Sequence, residues 1–286
     1  MLSTSISIST PTRTSTSTSI PGAGRLVFER VGPRSVVRSA FAASPLRLLT
    51  PRNHGHAAWA YTSSLGGGLV DGDEIRIDVR VATGASAVLA SQGETRVYRS
   101  PRGCRSELFA EVEQGALLAL LPDPTVCFTG ASYRQHTEVR LAPGAALVLV
   151  DVLAAGRSAR GERWAFRRYA SDLDVRIGDR AVIEEGILLD PAHGPIAERF
   201  GRFEVLCTLL LAGDALAAPR AAIAAELASL PARAHADRIE SANLLGDDAL
   251  LVRMAATSVE DARRTIRARL RFLPALLGDD PWARRP

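Results

Sequence analysis

Residues 74–90 read EIRIDVRVATGASAVLA, residues 106–121 SELFAEVEQGALLALL and residues 136–152 HTEVRLAPGAALVLVDV. The first opens with strict alternation, Ile75, Ile77, Val79 and Val81 taking every second place between Arg76, Asp78 and Arg80. Successive strand side chains point to opposite faces, so one face meets a core and the other meets water. Each stretch then passes a Gly-Ala step, at Gly84, Gly115 and Gly144, into a largely apolar second strand. These glycines lie 31 and 29 residues apart, and a looser fourth copy, LDVRIGDRAVIEEGILL at 173–189, carries Gly178. A steady period of this length is what a stacked β architecture writes into sequence, because each unit buries its apolar face only against its neighbours. The expected fold class is mainly β, in stacked β-helicoidal or solenoid-like layers; a sandwich of glycine-turn hairpins is the alternative.

Shorter alternating runs at Thr95–Arg99, Thr137–Leu141 and Leu173–Ile177 extend the β body to about residue 212. Beyond it the character changes. PRAAIAAELASL, from Pro219, has helical composition with proline suited to a first turn. A second helix is expected over Ser258–Leu276, with Ser258 as N-cap, Glu260 and Asp261 in the first turn and five arginines, Arg263 to Arg271, farther along. Ala249–Met254 reads as a strand between them. Two or so C-terminal α-helices should therefore dock on the sheet, within a single domain spanning 25–286. Residues 1–24, MLSTSISISTPTRTSTSTSIPGAG, form a Ser/Thr-rich leader without an acidic residue and are expected to be disordered.

The chain has 286 residues, 47% of them hydrophobic, enough for a substantial core. It contains neither an apolar run of spanning length nor a basic-then-apolar start, which points to a cytoplasmic protein with no membrane partner. Cys104, Cys127 and Cys207 are odd in number and far apart, and read as small core residues. The formal charge is +4, yet the basic residues are scattered singly, so no nucleic-acid partner is expected. All 35 basic side chains are arginine. Without lysine the chain cannot run P-loop, kinase, pyridoxal or Schiff-base chemistry.

Few segments carry recognisable chemistry. In Ser64–Ile75, SLGGGLVDGDEI, the glycines precede a strand where a phosphate loop would open a helix, so they read as a tight turn. Asp71-Gly72-Asp73 lacks the spacing of a calcium loop. His54-Gly55-His56 is a weak metal candidate; His136, His193, His235 and Cys127 stand at no diagnostic distance from it. No serine sits in a nucleophile elbow. The pairs Asp123 with Glu138, or Glu184 with Glu185, could serve as acid and base in a carboxylate hydrolase on a β-solenoid, and this stand-alone enzyme, or a histidine-based metal hydrolase, is the rival reading.

Taken in order, several segments resemble the UreD (UreH) family of urease accessory proteins. They are Ser44-Pro45-Leu46-Arg47; the stretch Gly67-Gly68-Leu69-Val70-Asp71-Gly72-Asp73; ASQGETRVYRS at 90–100, with Thr95, Tyr98 and Arg99, and Arg96 where the family usually has lysine; LPDPTVCF at 121–128; and GRSARGERW at 156–164, with Gly156, Arg157, Gly161 and Glu162. The resemblance covers roughly residues 25–212 and implies a β-helicoidal fold with a few helices. It further implies a non-enzymatic scaffold that binds apo-urease and UreF, with UreG as the GTPase partner, and assists nickel insertion. No cofactor is held stably; nickel is in transit. A borderline ion in transit needs weak oxygen or nitrogen ligands, since thiolate capture traps it. Asp73 is the first candidate for the nickel path, and Gln92 and Glu162 follow; the plainer role for all three is to cap turns or pair with arginines such as Arg99 and Arg157.

Overall fold

A computed structural model describes residues 20–52, 55–231 and 233–283. The strands in chain order are β1 (Ala23–Val31), β2 (Arg34–Ala42), β3 (Leu46–Leu49), β4 (Ala58–Ser64), β5 (Glu74–Val81), β6 (Ser86–Ser91), β7 (Thr95–Val97), β8 (Cys104–Val112) and β9 (Leu117–Leu121). They continue as β10 (Thr125–Cys127), β11 (Ser132–Leu141), β12 (Ala146–Ala154), β13 (Arg168–Ile177), β14 (Arg180–Leu189), β15 (Val205–Ala212), β16 (Arg238–Leu245) and β17 (Ala249–Ala256). The helices are α1 (Ile196–Phe200), α2 (Ala217–Ala228), α3 (Val259–Arg269) and α4 (Leu273–Leu277).

Two sheets form. One runs β14-β13-β11-β8-β5-β1-β2; the other runs β16-β17-β15-β12-β9-β6-β4-β3, with β10 beside β12 and β7 beside β10. The three sequence copies explain the winding. Each alternating strand, β5, β8 or β11, lies in the first sheet, and each apolar strand, β6, β9 or β12, lies in the second. Successive copies pair in parallel within both sheets. Gly84, Gly115 and Gly144 make the crossings at φ of 67°, 67° and 77°, a left-handed conformation costly for any residue with a Cβ. The crossings also bond to one another, Gly84 N donating to Gln114 O at 3.0 Å.

The fourth copy behaves differently. At Gly178 the chain does not cross; β13 turns through Gly178-Asp179 into antiparallel β14 of the same sheet, with Ile177 opposite Arg180. A two-residue loop with a left-handed glycine suits the twist of a hairpin and is too short to reach the second sheet. Antiparallel strands likewise finish the other edges, β2 against β1, β3 against β4, and β15, β17 and β16 beyond β12.

Packing accounts for the two strand types. The first sheet covers the second on one side only, so β5 and its parallel neighbours alternate. The second sheet is covered twice. Leu89, Leu118, Leu120, Leu147 and Leu149 face the first sheet, while Trp59, Leu121, Val148, Val150 and Val252 face the helices. A strand buried on both faces loses its alternation. Ile223, Ala262, Ile266, Leu273 and Leu277 seal the helical layer, each large side chain contributing about 1.5–3 kcal/mol of burial. All three cysteines are buried and free.

The expected strand Glu74–Val81 and the Ser258 cap, which accepts from Asp261 N at 3.1 Å, form as read. The expected helix over 258–276 breaks after Arg269; a turn over Leu270–Phe272 precedes α4, and Pro274 cannot donate back to continue α3. The first strand starts at Ala23, before Arg25, and β16 was not foreseen. Residues 1–19 of the leader lie outside the described residues.

Candidate functional site

The inward face of the first sheet is interrupted by polar side chains at one level. Ser106 on β8, Gln135 on β11 and Ser171 on β13 are register partners. Across the sandwich, the inward row of β12 runs Leu147, Leu149, Asp151, Leu153. Asp151 stands beside Thr208 of β15, and Thr208 beside Arg253 of β17. Ser106, Gln135, Ser171 and Asp151 line a chamber of about 470 Å³, whose walls also include Thr62, Ser91, Thr125 and Thr137 beside Leu89, Leu120 and Leu149.

Gln135 Nε2 donates to Asp151 Oδ2 at 2.7 Å and to Ser171 Oγ at 2.9 Å. Burial pushes the Asp151 carboxyl up to about 6, and the Gln135 bond offsets part of that rise. It is the chamber's inward carboxylate with a strongly displaced proton affinity. Burial also raises the hydroxyls of Tyr133 and Tyr169, which stay neutral and line or back the polar level. At the far flank Arg253 grips Glu185 of β14, Nη2 to Oε1 at 2.6 Å, a second clasp between the sheets.

The sequence motifs, which lie far apart along the chain, meet beside the chamber, and two of them reach its rim through Gly67, Leu69, Gln92, Thr95 and Arg96. Leu69 N donates to Arg96 O and Tyr98 N to Leu69 O, both near 2.9 Å, so the glycine-rich segment is laced to β7. Gly68 permits the contact, since a Cβ there would lie 2.5 Å from Arg96 O and 2.7 Å from the Tyr98 ring. Next to β7 runs β10, and Tyr98 meets Phe128 edge-on at 5.3 Å. Arg157 stacks over Phe128 at 4.2 Å and pairs with Glu162, Nε to Oε2 at 2.9 Å. That arginine holds the Glu162 carboxyl below its usual range. Gly156 fits because a Cβ would strike Glu162 O at 2.4 Å, and Gly161 takes the left-handed turn. Trp164, at φ 54°, is fixed by its N–H on Ala155 O and its indole N–H on Phe203 O.

The expected site residues are thus dispersed. Gln92 lines the chamber mouth, with Gly67 and Thr95. Asp73 accepts from Val70 N at 2.8 Å and organises the turn before β5. Neighbouring Asp71 binds Arg102 through Nε at 2.9 Å, which lowers its carboxyl. Glu162 buttresses the Gly156–Trp164 loop; neither it nor Asp73 lines the chamber. Arg99 flanks Gly130 on the exposed surface. His56 Nε2 lies 2.8 Å from Leu276 O and ties its loop to α4, while His54 lies outside the described residues. Among the described residues no three His, Cys, Asp or Glu side chains stand together as a metal-holding group. The paired acids of the rival reading are not brought together: Glu184 pairs with Arg176 and Glu185 with Arg253, and Asp123 sits by α3 while Glu138 is bonded to Arg140 on β11. Asp151 was missed from sequence, although an acid inside ALVLVDVLA was the available signal.

Wound β layers, a helical cover and signature residues gathered beside a polar chamber define a layered β scaffold. The profile of the UreD urease accessory protein family matches residues 21–286. The urease accessory protein UreD of Sorangium cellulosum is 51% identical over 267 residues, covering 92% of this chain and 84% of that protein. That of an Anaeromyxobacter species is 43% identical, covering 93% and 90%, and urease accessory protein D of Arabidopsis thaliana is 31% identical, covering 91% and 99%. The chain belongs to the UreD family of urease accessory proteins, whose role lies in urease maturation. No helix among the described residues is long and apolar enough to cross a membrane.

Proposed function

We propose that this protein binds apo-urease together with UreF and UreG in the cytoplasm and assists insertion of nickel, and that the ion travels through the polar chamber past Asp151. The observation that carries this reading is the Asp151 carboxyl, half-buried between the sheets and bonded to Gln135 at 2.7 Å. At the level of Gln135 and Ser171, Asp151 offers a divalent cation one anionic ligand and several weak ones, with Glu94, Glu107 and Asp172 elsewhere on the lining. Such a set favours brief residence over capture. A carboxyl with an affinity near 6 is largely ionised at neutral pH, so an arriving cation meets an anionic ligand and compensates its charge while it stays. Gln92 serves at the mouth. Asp73 and Glu162 serve the path indirectly, by holding the turn before β5 and the Gly156–Trp164 loop.

The test is urease activation from apo-urease, UreF, UreG and nickel, with co-purification of the complex. Wild-type protein is expected to co-purify and to support activation. The Asp151→Asn variant is expected to co-purify equally and leave urease poor in nickel; full nickel loading by that variant overturns the chamber route.

A further inference from the structure

A second and larger cavity, about 1050 Å³, lies on the other face of the second sheet, between that sheet and α3. Its floor includes Tyr61, Leu121, Val150 and Val152, and its far wall Ala262, Ile266 and Trp282. The two cavities share the wall segment Ser91–Glu94, together with Pro122 and Val150. This segment is pinned from both sides. Gln92 N donates to Thr62 O at 2.8 Å, and Asp123 N donates to Ser91 Oγ at 2.7 Å. Above it one cation of α3 reaches across: Arg263 Nη2 stands 3.6 Å from Glu94 Oε1 and 3.8 Å from Asp123 Oδ1.

We infer that the outer groove and the inner chamber form one route with Ser91–Glu94 as its threshold, and that Arg263 is a charge latch over that threshold, displaced by a divalent cation. The inference rests on the reading of the chamber as a passage. Both contacts exceed hydrogen-bond length, so the guanidinium neutralises the two carboxylates without locking onto either. Its side chain is 38% exposed and free to swing outward along α3, which stays anchored by Ala262 and Ile266. A divalent ion offers Glu94 and Asp123 twice the charge at shorter range and repels the guanidinium as it arrives. Water and anions offer no such exchange. Arg263 therefore sets which solutes cross, and it contributes nothing to holding the ion inside.

Accessibility of the chamber tests this apart from urease activation. A cysteine placed on the chamber wall, Gln135→Cys or, with a smaller change, Ser106→Cys, is reacted with a small cationic methanethiosulfonate, and the protein without the added cysteine gives the background of the three buried thiols. Replacing Arg263 by Met is expected to raise the labelling rate several-fold, Arg263→Lys to keep it near the original rate, and nickel alone to raise the rate in the protein that keeps Arg263 but not in Arg263→Met. Equal rates in Arg263→Met and its parent, or no labelling in any variant, overturns the latch. The passage reading fails separately, on full nickel loading by Asp151→Asn.

Discussion

Gln135 Nε2 and Asp151 Oδ2, 2.7 Å apart, join β11 of one sheet to β12 of the other through the middle of the sandwich. The bond places a titratable group where only hydrocarbon stands along the rest of its row, and its energetics can be measured.

Asp151 titrates near 3.8 when unfolded and at about 6 in the folded chain. Folding therefore takes up a proton between those values, and the destabilisation it brings is absent at lower pH, grows through the interval and is complete above it. Two pKa units correspond to about 2–3 kcal/mol. Asp151→Asn should be more stable than wild type by about that amount at neutral pH and by nothing near pH 4. Urea denaturation at pH 4, 5, 6 and 7 checks it; parallel curves for the two proteins contradict the burial argument.

The same variant should lower urease nickel loading by about tenfold, a change of about 1.4 kcal/mol. Asp73→Ala removes one turn bond, from Val70 N, and should cost about 1 kcal/mol of stability while leaving loading within about twofold. Loading assays with the folded fraction fixed by circular dichroism separate the two.

Beneath α3, Glu240 and Arg269 are almost wholly buried, with side-chain exposures of 3% and 8%, and bond Nε to Oε2 at 3.0 Å. Arg238 and Glu226 complete the network. Arg269→Leu leaves the enclosed Glu240 with Arg238 as its remaining guanidinium partner and should cost about 1.5–3 kcal/mol. Removing both charges, Glu240→Leu with Arg269→Leu, should cost less than that single change. Thermal unfolding of the three variants decides; strict additivity contradicts the coupling.

Burial pushes the Cys127 thiol up to about 12 and raises those of Cys104 and Cys207. Only thiolate reacts with alkylators, so iodoacetamide at pH 8 should leave all three unmodified in the folded protein and modify all three in denaturant. Mass spectrometry reads both states.

Local signals carried much of the fold. The alternation of Glu74–Val81, the glycine steps at Gly84, Gly115 and Gly144 and the cap at Ser258 each depend on neighbours within a few residues, and each formed as read. Long-range register was hidden. That Gly178 closes a hairpin while Gly144 opens a crossing depends on loop length and on which edge is free. β16, with Ile239 and Leu244 exposed, has no simple alternation to announce it. The chamber was illegible for the same reason. Asp151 lies in an apolar run, and its meaning comes from Gln135 and Ser171, which only the pairing of strands from different coils brings opposite. Asp73 and Glu162 drew attention because they sit in motifs, and the structure gives those motifs loop-holding bonds.

The chamber lies beside a seam between two ways of building a sheet, wound parallel coils up to β12 and back-and-forth strands from β15 onward. A nascent chain that has emerged only as far as Leu189 possesses Gln135, Ser171 and Asp151, but nothing yet lies beyond β12. There Asp151 sits on the open edge strand of its sheet. When Val205–Ala212 pairs along β12 and Arg253 closes on Glu185, that edge is covered and the two sheets are clasped. The clasped sandwich is thus a property of the completed chain: a half-synthesised molecule has the carboxylate but not the passage.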